Sequence, residues 1–408
     1  MAPKIFPKLI CGFSALALAA CSSLSPPRNL EPVAEGRGYQ AQYRTPPPRA
    51  PEPLYLRAEE MNAADCLPYR GGVLSGGAKF AAGVPQVLRG ERLSRNDLVA
   101  IRVGEDEVFN GAYVVSRDGA LKLPFLGPIR AQGRTTGAIE TDLVAGLLRA
   151  GLYSEAPLVS VRVTDFASIS VGVSGAVFEP RALEIGAVAA ESLDRARQEA
   201  LGASTEGRNL SAAIRAAGGI RPDADLSAVE VRRGGSVYRV DMRGVFEGRH
   251  VGDVMLLADD EVVVPSRNCF QDDLMRPSPV SPPGVTLFLS NLTQPATANA
   301  PSAIGREVRE VPYGTRHMQA VVDTNCVGGA RSTSANRSAV LFTRNPVSGV
   351  STVIERDIED MLRRPDRDDY DPYVLPGDSI ACYDSTVTNI AEIGRVLGIV
   401  VPAAILVR

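Results

Sequence analysis

The sequence has 408 residues, and its 45% hydrophobic and 22% charged side chains are ordinary globular values that exclude global disorder and a polytopic membrane protein. At about 100–200 residues per domain, the length allows two to four domains. Forty-four basic and 47 acidic residues give a net charge of −3, which argues against a dedicated nucleic-acid binder. Two histidines, His250 and His317, leave little material for histidine-based catalysis or a metal site.

The first residues have the pattern of a secretory signal. Two lysines precede an apolar run at residues 9–20, which is shorter than the roughly 20 apolar residues that span a bilayer. The run ends in Leu-Ala-Ala-Cys, and small residues before a cysteine resemble the lipobox of bacterial lipoproteins. We therefore expect a signal peptide at residues 1–20, lipidation of Cys21 and, from Ser22, sorting to the outer membrane. An ordinary signal peptide with a chance cysteine is the alternative.

The stretch after the lipobox has the composition of a tether. It is rich in proline, arginine and small residues up to about residue 60, and such a composition buries little apolar surface. We predict a lipidated N-terminal tether over residues 21–85.

Four cysteines remain in the mature chain besides the lipidated one, and they are Cys66, Cys269, Cys326 and Cys382. An even number in an oxidising periplasm permits two disulfides in three connectivities. No pair has C-x-x-C spacing, which argues against a zinc or redox site. Isolated buried thiols are the alternative for all four.

Residues 86–175 predict an α+β domain that starts with strands. The segment 97–103 alternates between apolar and polar residues, as a half-buried strand does. An Asp-Gly turn at residues 118–119 lies between the short apolar runs 113–115 and 120–124, which predicts a hairpin.

A helix and two further strands follow in the same domain. Thr135 or Thr136 can cap the helix, Gly151 can end it, and one face carries Ile139, Leu143 and Leu147. Alternating valines at 159–163 and apolar residues at 169–173 then predict two strands.

The rest of the chain contains an internal repeat at residues 176–267 and 311–385. Each copy has a short helix that ends near a double glycine, then a hairpin, then a closing strand that begins with acidic residues. The pattern predicts two small, similar domains, with chance similarity as the alternative. The Pro-, Ser- and Asn-rich residues 268–310 between them are predicted to be a linker, although an apolar patch interrupts them at 285–289.

These ordered motifs resemble the polysaccharide export outer-membrane lipoproteins, the Wza-like exporters of capsule and exopolysaccharide. The export-domain motif comprises an aspartate before the first strand, a V-x-x-D-G hairpin and an L-P-x-x-G element, which correspond here to Asp97, Asp118, Gly119, Pro124 and Gly127. The two repeats resemble the soluble ligand-binding β-grasp (SLBB) domains of the same family. The chain departs from the pattern at Asn96, where glycine is usual, and at residues 258–259, where Ala-Asp replaces the Gly-Asp that closes the first repeat.

The resemblance implies a homo-oligomeric ring, commonly an octamer, whose C-terminal helices cross the outer membrane. Residues 386–408 would reach about 35 Å as a helix, enough for a hydrocarbon core of about 30 Å. Asn389, Glu392 and Arg395 are three residues apart and share one face, which is costly in lipid unless it lines water or meets partners. We interpret them as pore-lining; the alternative is a terminal helix or strand that packs on its own body.

The expected function is therefore that of a conduit for a polysaccharide, with an inner-membrane polysaccharide co-polymerase or tyrosine autokinase as the partner that the resemblance implies. A rival is a periplasm-facing glycan-binding or adaptor lipoprotein without a pore. The sequence has no nucleophile elbow, H-E-x-x-H, P-loop or G-x-G-x-x-G, so we expect no enzyme and no cofactor. A glycosidase could use a pair of the acidic residues 259–261, but we interpret these as solvated loop charge.

Overall fold

The computed structural model of the protein describes residues 66–71, 84–104, 106–186, 206–249, 251–291, 309–323, 338–363 and 371–383. Several predictions lie outside these residues, namely the signal peptide, Cys21, most of the tether, His250, Cys326 and the segment 386–408 with Asn389, Glu392 and Arg395. Within the described ranges, no helix combines the length and the apolar character that a membrane crossing requires.

The first domain is built on a three-stranded antiparallel sheet. Its strands in chain order are β1 (Leu98–Val103), β2 (Asp106–Val114), β3 (Ala120–Leu121), β4 (Ile129–Arg130) and β5 (Val159–Asp165). The main sheet has the order β2-β1-β5, and β3 and β4 form a separate pair. Val99, Ile101 and Val103 are buried while their neighbours are not, because successive side chains of a strand point to opposite faces. The alternation predicted for this strand is confirmed.

Helix α1 (Thr136–Arg149) covers this sheet and contacts β5. The Thr135 hydroxyl accepts a hydrogen bond from the Ala138 N–H at 3.4 Å and so caps the first turn. The predicted apolar face is fully buried, and Gly151 follows the helix in a left-handed conformation with φ of 68°. Burial of Ile139, Leu143 and Leu147 contributes about 1.5–3 kcal/mol per side chain. The predicted helix is confirmed.

The hairpin predicted around the Asp-Gly turn is wrong in its strand pairing. The turn itself is present, since the Gly119 N–H donates to the Ser116 carbonyl at 2.8 Å. However, β2 pairs with β1, and the strand after the turn, β3, pairs with β4. Leu121 and Leu123 both enter the core of the first domain, so burial directs the chain away from the edge of β2.

A five-stranded sheet forms the next body, which we call the first unit. Its elements in chain order are β6 (Ile169–Gly175), β7 (Arg181–Ile185), helix α2 (Leu210–Ala216), β8 (Val229–Arg233), β9 (Ser236–Val240) and β10 (Glu261–Val264). The strand order is β7-β6-β10-β8-β9, with β6 and β10 parallel and the other pairs antiparallel. Gly234 and Gly235, which join β8 to β9, both have positive φ, as a tight hairpin turn requires.

A second five-stranded sheet, the second unit, repeats this plan. Its elements in chain order are β11 (Val285–Asn291), β12 (Arg309–Val311), α3 (His317–Asp323), β13 (Ser338–Arg344), β14 (Ser351–Asp357), α4 (Ile358–Arg363) and β15 (Ser379–Tyr383). The order β12-β11-β15-β13-β14 matches that of the first unit strand for strand, and β11 and β15 are again the parallel pair. The overall class is therefore α+β, as predicted.

Each unit begins earlier in the chain than the repeat in the sequence indicates. β6 was assigned to the first domain and β11 to the linker, yet each lies next to the closing strand of its sheet. Residues 268–291 are not a loose linker, because Phe270 packs in the core of the second unit and Val280 in that of the first. We therefore propose that the first unit begins near residue 166 and the second near residue 285, in place of 176 and 311, and that residues 266–284 pack between the two cores.

Candidate functional site

Asp97, the first residue of the export-domain motif, is fully buried in a turn that precedes β1. Its carboxylate accepts hydrogen bonds from the Ser94 N–H at 2.6 Å and from the Ala167 N–H at 3.0 Å. Asn96 in the same turn has φ of 67°, a left-handed conformation that asparagine adopts more readily than most residues. This explains how asparagine replaces the usual glycine without loss of the turn.

A buried ion pair joins this aspartate to the first unit. The Arg208 Nη1 lies 2.7 Å from the Asp97 Oδ1, and the two side chains are 1% and 0% exposed. The Arg208 Nη2 also donates to the Leu256 carbonyl at 3.4 Å, and the guanidinium lies 5.2 Å from the centre of the Phe166 ring. The motif aspartate therefore fixes the orientation of the next domain.

Burial dominates the electrostatics of this pair. Desolvation raises the pKa of Asp97, although the Arg208 cation and two backbone amides lower it. Desolvation likewise lowers the pKa of Arg208 against the attraction of Asp97. Each charge is thus tolerated because the other is present, and loss of one partner of such a pair typically costs about 3–5 kcal/mol.

The turn that holds Asp97 occurs three times in the chain. The carboxylates of Asp260 and Asp378 each accept the N–H of the residue three positions earlier at 2.8 Å, as Asp97 does. The residue before each aspartate has positive φ: 67° at Asn96, 71° at Asp259 and 90° at Gly377. Each turn leads directly into a strand of its sheet: β1, β10 or β15.

This recurrence corrects the sequence interpretation of the first repeat. The counterpart of Gly377-Asp378 is the pair Asp259-Asp260, and not Ala258-Asp259, because Asp259 has the left-handed conformation. Asp260 is also not solvated loop charge: it is 1% exposed, and the Arg233 guanidinium contacts its two oxygens at 2.6–3.2 Å. Of the acidic residues 259–261, only Asp260 is buried, whereas Asp259 and Glu261 are exposed at the surface.

The closing turn of the first unit completes the contact with the first domain. The Ala258 N–H donates to the Ser94 Oγ at 3.0 Å, and Asp259 pairs with Arg95. Met255 is part of the core of the first domain. The turns at Asp97 and Asp260 thus face each other across the junction.

The other motif residues shape exposed loops. Asp118 is exposed, accepts a hydrogen bond from the Ser116 hydroxyl and pairs with Lys122 at 3.2 Å. Gly119 has φ of 77°, and a Cβ there would lie 2.8 Å from the Gln132 side chain. The turn therefore requires glycine for both conformation and space.

The L-P-x-x-G element projects from the domain between two buried residues, Leu123 and Ile129. Pro124 and Gly127 are exposed, and Phe125 is 79% exposed with φ of 58°. The motif as a whole comprises one buried anchor, one tight turn and one exposed loop. It does not bring together an acid, a base and a nucleophile in the way that a catalytic site does.

The predicted cysteines give one disulfide between Cys66 and Cys269, whose Cα atoms are 5.0 Å apart and 203 positions apart in sequence. Cys382 is also disulfide-bonded. The first bridge fastens residues 66–71, which we call the strap, to the first unit. The strap is held as well by hydrogen bonds from the Arg70 N–H to Asp225 and from the Gly71 N–H to the Ser227 hydroxyl, at 2.8 and 2.9 Å.

Several residues of these contacts could not be found in the sequence. Arg208 precedes a short helix with no motif around it, and Ser94 and Tyr69 lie in polar segments without periodicity. Their roles depend on partners 100 or more positions away in the chain: Asp97 for Arg208, Ala258 for Ser94 and the first unit for Tyr69.

Comparison with known proteins identifies the first domain. A family model described as "Polysaccharide biosynthesis/export protein" matches residues 86–164, and β5 of the three-stranded sheet ends at Asp165. Two similar proteins are named "EPS I polysaccharide export outer membrane protein EpsA", from Ralstonia nicotianae and Ralstonia solanacearum. Each is 28% identical over 184 residues, which cover 44% of this chain and 43% of the relative.

The match thus spans less than half the length of these relatives. Both relatives are named as outer-membrane proteins. The matched family is one of export proteins and not a known enzyme family. The segment 86–164 of the chain is therefore similar to the polysaccharide export family.

Proposed function

We propose that the protein is a lipid-anchored oligomeric conduit that exports capsular polysaccharide or exopolysaccharide from the periplasm to the cell surface. The observation that carries this proposal is the family match over the whole first domain, residues 86–164. The names of the two relatives support the same transport role. No catalytic step is assigned to the chain, and transport energy would come from an inner-membrane co-polymerase or tyrosine autokinase.

The rigid connection of the first domain to the first unit supports a ring. In a ring, each subunit must hold its domains at one fixed angle, because an error at one interface is repeated at every interface. The Asp97–Arg208 pair and the two facing turns supply such a fixed angle. We propose that such subunits assemble into an octamer-like ring.

The proposed membrane crossing is the segment 386–408. A ring of such helices can enclose water, so that Asn389, Glu392 and Arg395 line the lumen instead of meeting lipid. The lipid on Cys21 would hold each subunit at the inner leaflet of the outer membrane. The disulfides at Cys269 and Cys382 are those of a protein that folds in an oxidising compartment, which agrees with a body in the periplasm.

Deletion of residues 386–408 tests the conduit. We expect polysaccharide export to stop while the periplasmic body stays folded, because the strands and cores described above end at residue 383. The measurements are surface polysaccharide in cells and particle size of the detergent-extracted complex. The comparison variant is Cys21→Ser, which should lose its lipid and be mislocalised while its fold stays intact. Normal export from the truncated chain would contradict the conduit and favour a glycan-binding adaptor without a pore.

A further inference from the structure

A concave cavity lies where the strap meets the first unit. Its volume is about 160 Å³, and residues that line it include Tyr69, Leu226, Phe246, Asp273, Leu274 and Arg276. Two aromatic rings and two buried leucines thus combine with charged groups at the surface. The volume is about half that of the smallest drug-sized pockets, about 300 Å³, so it accommodates one ring-sized group.

The wall that Tyr69 forms is fixed in place. The disulfide at Cys66 lies three residues before it, and the Arg267 guanidinium is stacked 3.7 Å from the centre of its ring. The phenol hydroxyl donates to the Gln271 Oε1 at 3.4 Å. A wall held by a covalent bridge and a stacked cation loses little conformational entropy when a ligand binds.

Three other polar residues of the lining are already used by the protein, and one of them, Glu247, forms an ion pair with Arg249. The Arg243 Nε lies 3.0 and 3.2 Å from the two carboxylate oxygens of Asp241. The Gln271 amide donates to two backbone carbonyls at 2.9 and 3.2 Å, and its oxygen accepts from Arg267 at 2.7 Å. These groups hold the shape of the cavity and have little capacity left for a ligand.

Two charged groups of the lining remain unused. In the part of the chain that the structure describes, no side-chain hydrogen bond or ion pair is formed by Arg276 or Asp273. The Arg276 guanidinium lies 5.8 Å from the centre of the Phe246 ring, at the outer limit of a cation–π contact. The two residues are three positions apart, yet no ion pair forms between them. A donor and an acceptor are therefore both available at the mouth of an aromatic cavity.

We propose that this cavity binds one uncharged pyranose unit of a polysaccharide. The further step, that this polysaccharide is the exported polymer, rests on the proposed function. The C–H face of a pyranose packs against aromatic walls, here Tyr69 and Phe246. Its hydroxyl groups accept hydrogen bonds from Arg276 and donate to Asp273. Because these two charges are opposite and equal, the site favours an uncharged sugar over a uronate. The cavity is small, so the polymer contacts it through one residue at a time.

The test uses the full-length, detergent-extracted protein and simple glycosides as probes. Methyl glucoside, galactoside, mannoside and glucuronide are titrated by saturation-transfer NMR. We expect saturable binding of at least one uncharged glycoside and at least fivefold weaker binding of the glucuronide. Failure of every uncharged glycoside to saturate, or stronger binding of the glucuronide, would overturn the proposal.

Adjacent residues supply a matched control. Asp273→Asn and Arg276→Gln should each weaken binding at least tenfold. Asp272→Asn should change binding less than twofold, because Asp272 is equally exposed and also unpaired in the described structure but does not line the cavity. All three side chains are at the surface, so the melting temperature should not change. Equal effects of Asp272→Asn and Asp273→Asn would show that the carboxylate of Asp273 has no specific role and would refute the site.

Failure of this site and failure of the conduit give different results. If the glycoside binds and Asp273→Asn abolishes binding, but the chain truncated at residue 385 still exports, the conduit is refuted and the site stands. If truncation stops export and no glycoside binds, the site is refuted and the conduit stands.

Discussion

The two five-stranded units have the same strand order, but they differ in the interactions that their buried polar side chains form. In the first unit, Arg208 and Asp260 are buried and each belongs to an ion pair, although the Arg208 Nε has no hydrogen-bond partner among the described residues. In the second unit, Tyr313, His317 and Thr343 each have a buried polar atom without a hydrogen-bond partner among the described residues. The same backbone plan therefore supports two different polar interiors.

The difference between the two interiors follows from the contacts that each unit makes with its neighbours in the chain. The Arg208–Asp97 ion pair connects the first unit to the first domain, and the disulfide-bonded strap is also attached to the first unit. The second unit contacts the first unit through Arg221, which donates to the Pro346 carbonyl at 2.8 Å, and through the edge-to-face rings of Phe178 and Tyr313. We infer that a buried ion pair attaches the first unit to the first domain, whereas a backbone carbonyl and an aromatic pair take part in the contact between the two units.

The substitution with the largest expected effect on this contrast is Arg208→Met. This substitution leaves the Asp97 carboxylate buried without its cation. We therefore expect the free energy of unfolding of the first domain and the first unit to fall by about 3–5 kcal/mol. Hydrogen exchange read by mass spectrometry measures this separately for peptides of each unit. Protection of the second unit should not change.

Arg134→Met is the matched control for that substitution. Arg134 forms an ion pair with Asp142 in the same domain, but the two side chains are 34% and 41% exposed. An exposed pair contributes about 0–1 kcal/mol, so exchange should hardly change. Equal effects of the two variants would contradict a special role for the buried pair. The double variant Arg208→Met with Asp97→Asn should recover part of the loss, because asparagine is uncharged and its amide oxygen can still accept a backbone hydrogen bond.

A second test uses pH to act on the second unit alone. His317 is fully buried, and burial, with a smaller contribution from the Arg356 cation, lowers its pKa to about 3. The unfolded chain has a pKa near 6.5, so the unfolded state binds the proton more readily. The stability is therefore complete above pH 6.5 and falls as the pH decreases from 6.5 toward 3, by about 1.4 kcal/mol per pH unit.

We expect the second unit to lose about 2 kcal/mol between pH 6.5 and pH 5, measured by hydrogen exchange of its peptides after correction for intrinsic rates. The variant His317→Leu should remove this dependence, because leucine has no proton to bind. Peptides of the first unit serve as the internal reference. A pH dependence that persists in the variant would assign it to other groups.

The smallest test concerns the left-handed position of the closing turns. A Cβ at Gly377 would have nothing within 4 Å, so Gly377→Ala should cost only the conformational penalty of φ near 90°, about 1–2 kcal/mol. In the first unit, Asp259→Gly relieves the same penalty but removes the exposed pair with Arg95, so we expect a gain below about 1 kcal/mol. Thermal melting measures both, and destabilisation by Asp259→Gly would contradict the equivalence of the turns.

Much of the fold could be predicted from local patterns. The helix Thr136–Arg149 follows from Thr135, from its four-residue apolar spacing and from Gly151, all of which act within a few residues. The alternation before Val103 fixed which face of β1 is buried. The pairing of β3 with β4 was missed, because two adjacent short strands do not reveal in sequence which of several edges each one joins.

The candidate site was accessible to sequence reasoning only in part. Asp97 was singled out by its resemblance to a family motif, but its partner Arg208 lies 111 positions away. Tyr69 lies in a segment predicted as tether, and its wall of the cavity exists only because Cys66 reaches Cys269.

The sequence alone determined the elements whose signals are short in range: the capped helix, the alternating strand and the glycine turns. Only the tertiary structure decided that β6 and β11 belong to the two units, that Arg208 and Asp97 meet, and that the strap and the first unit enclose a cavity. The physical reason is the range of the interactions. Caps and turns depend on backbone groups a few residues apart, whereas parallel strand pairs, buried ion pairs and disulfides join residues that are about 90 to 200 positions apart.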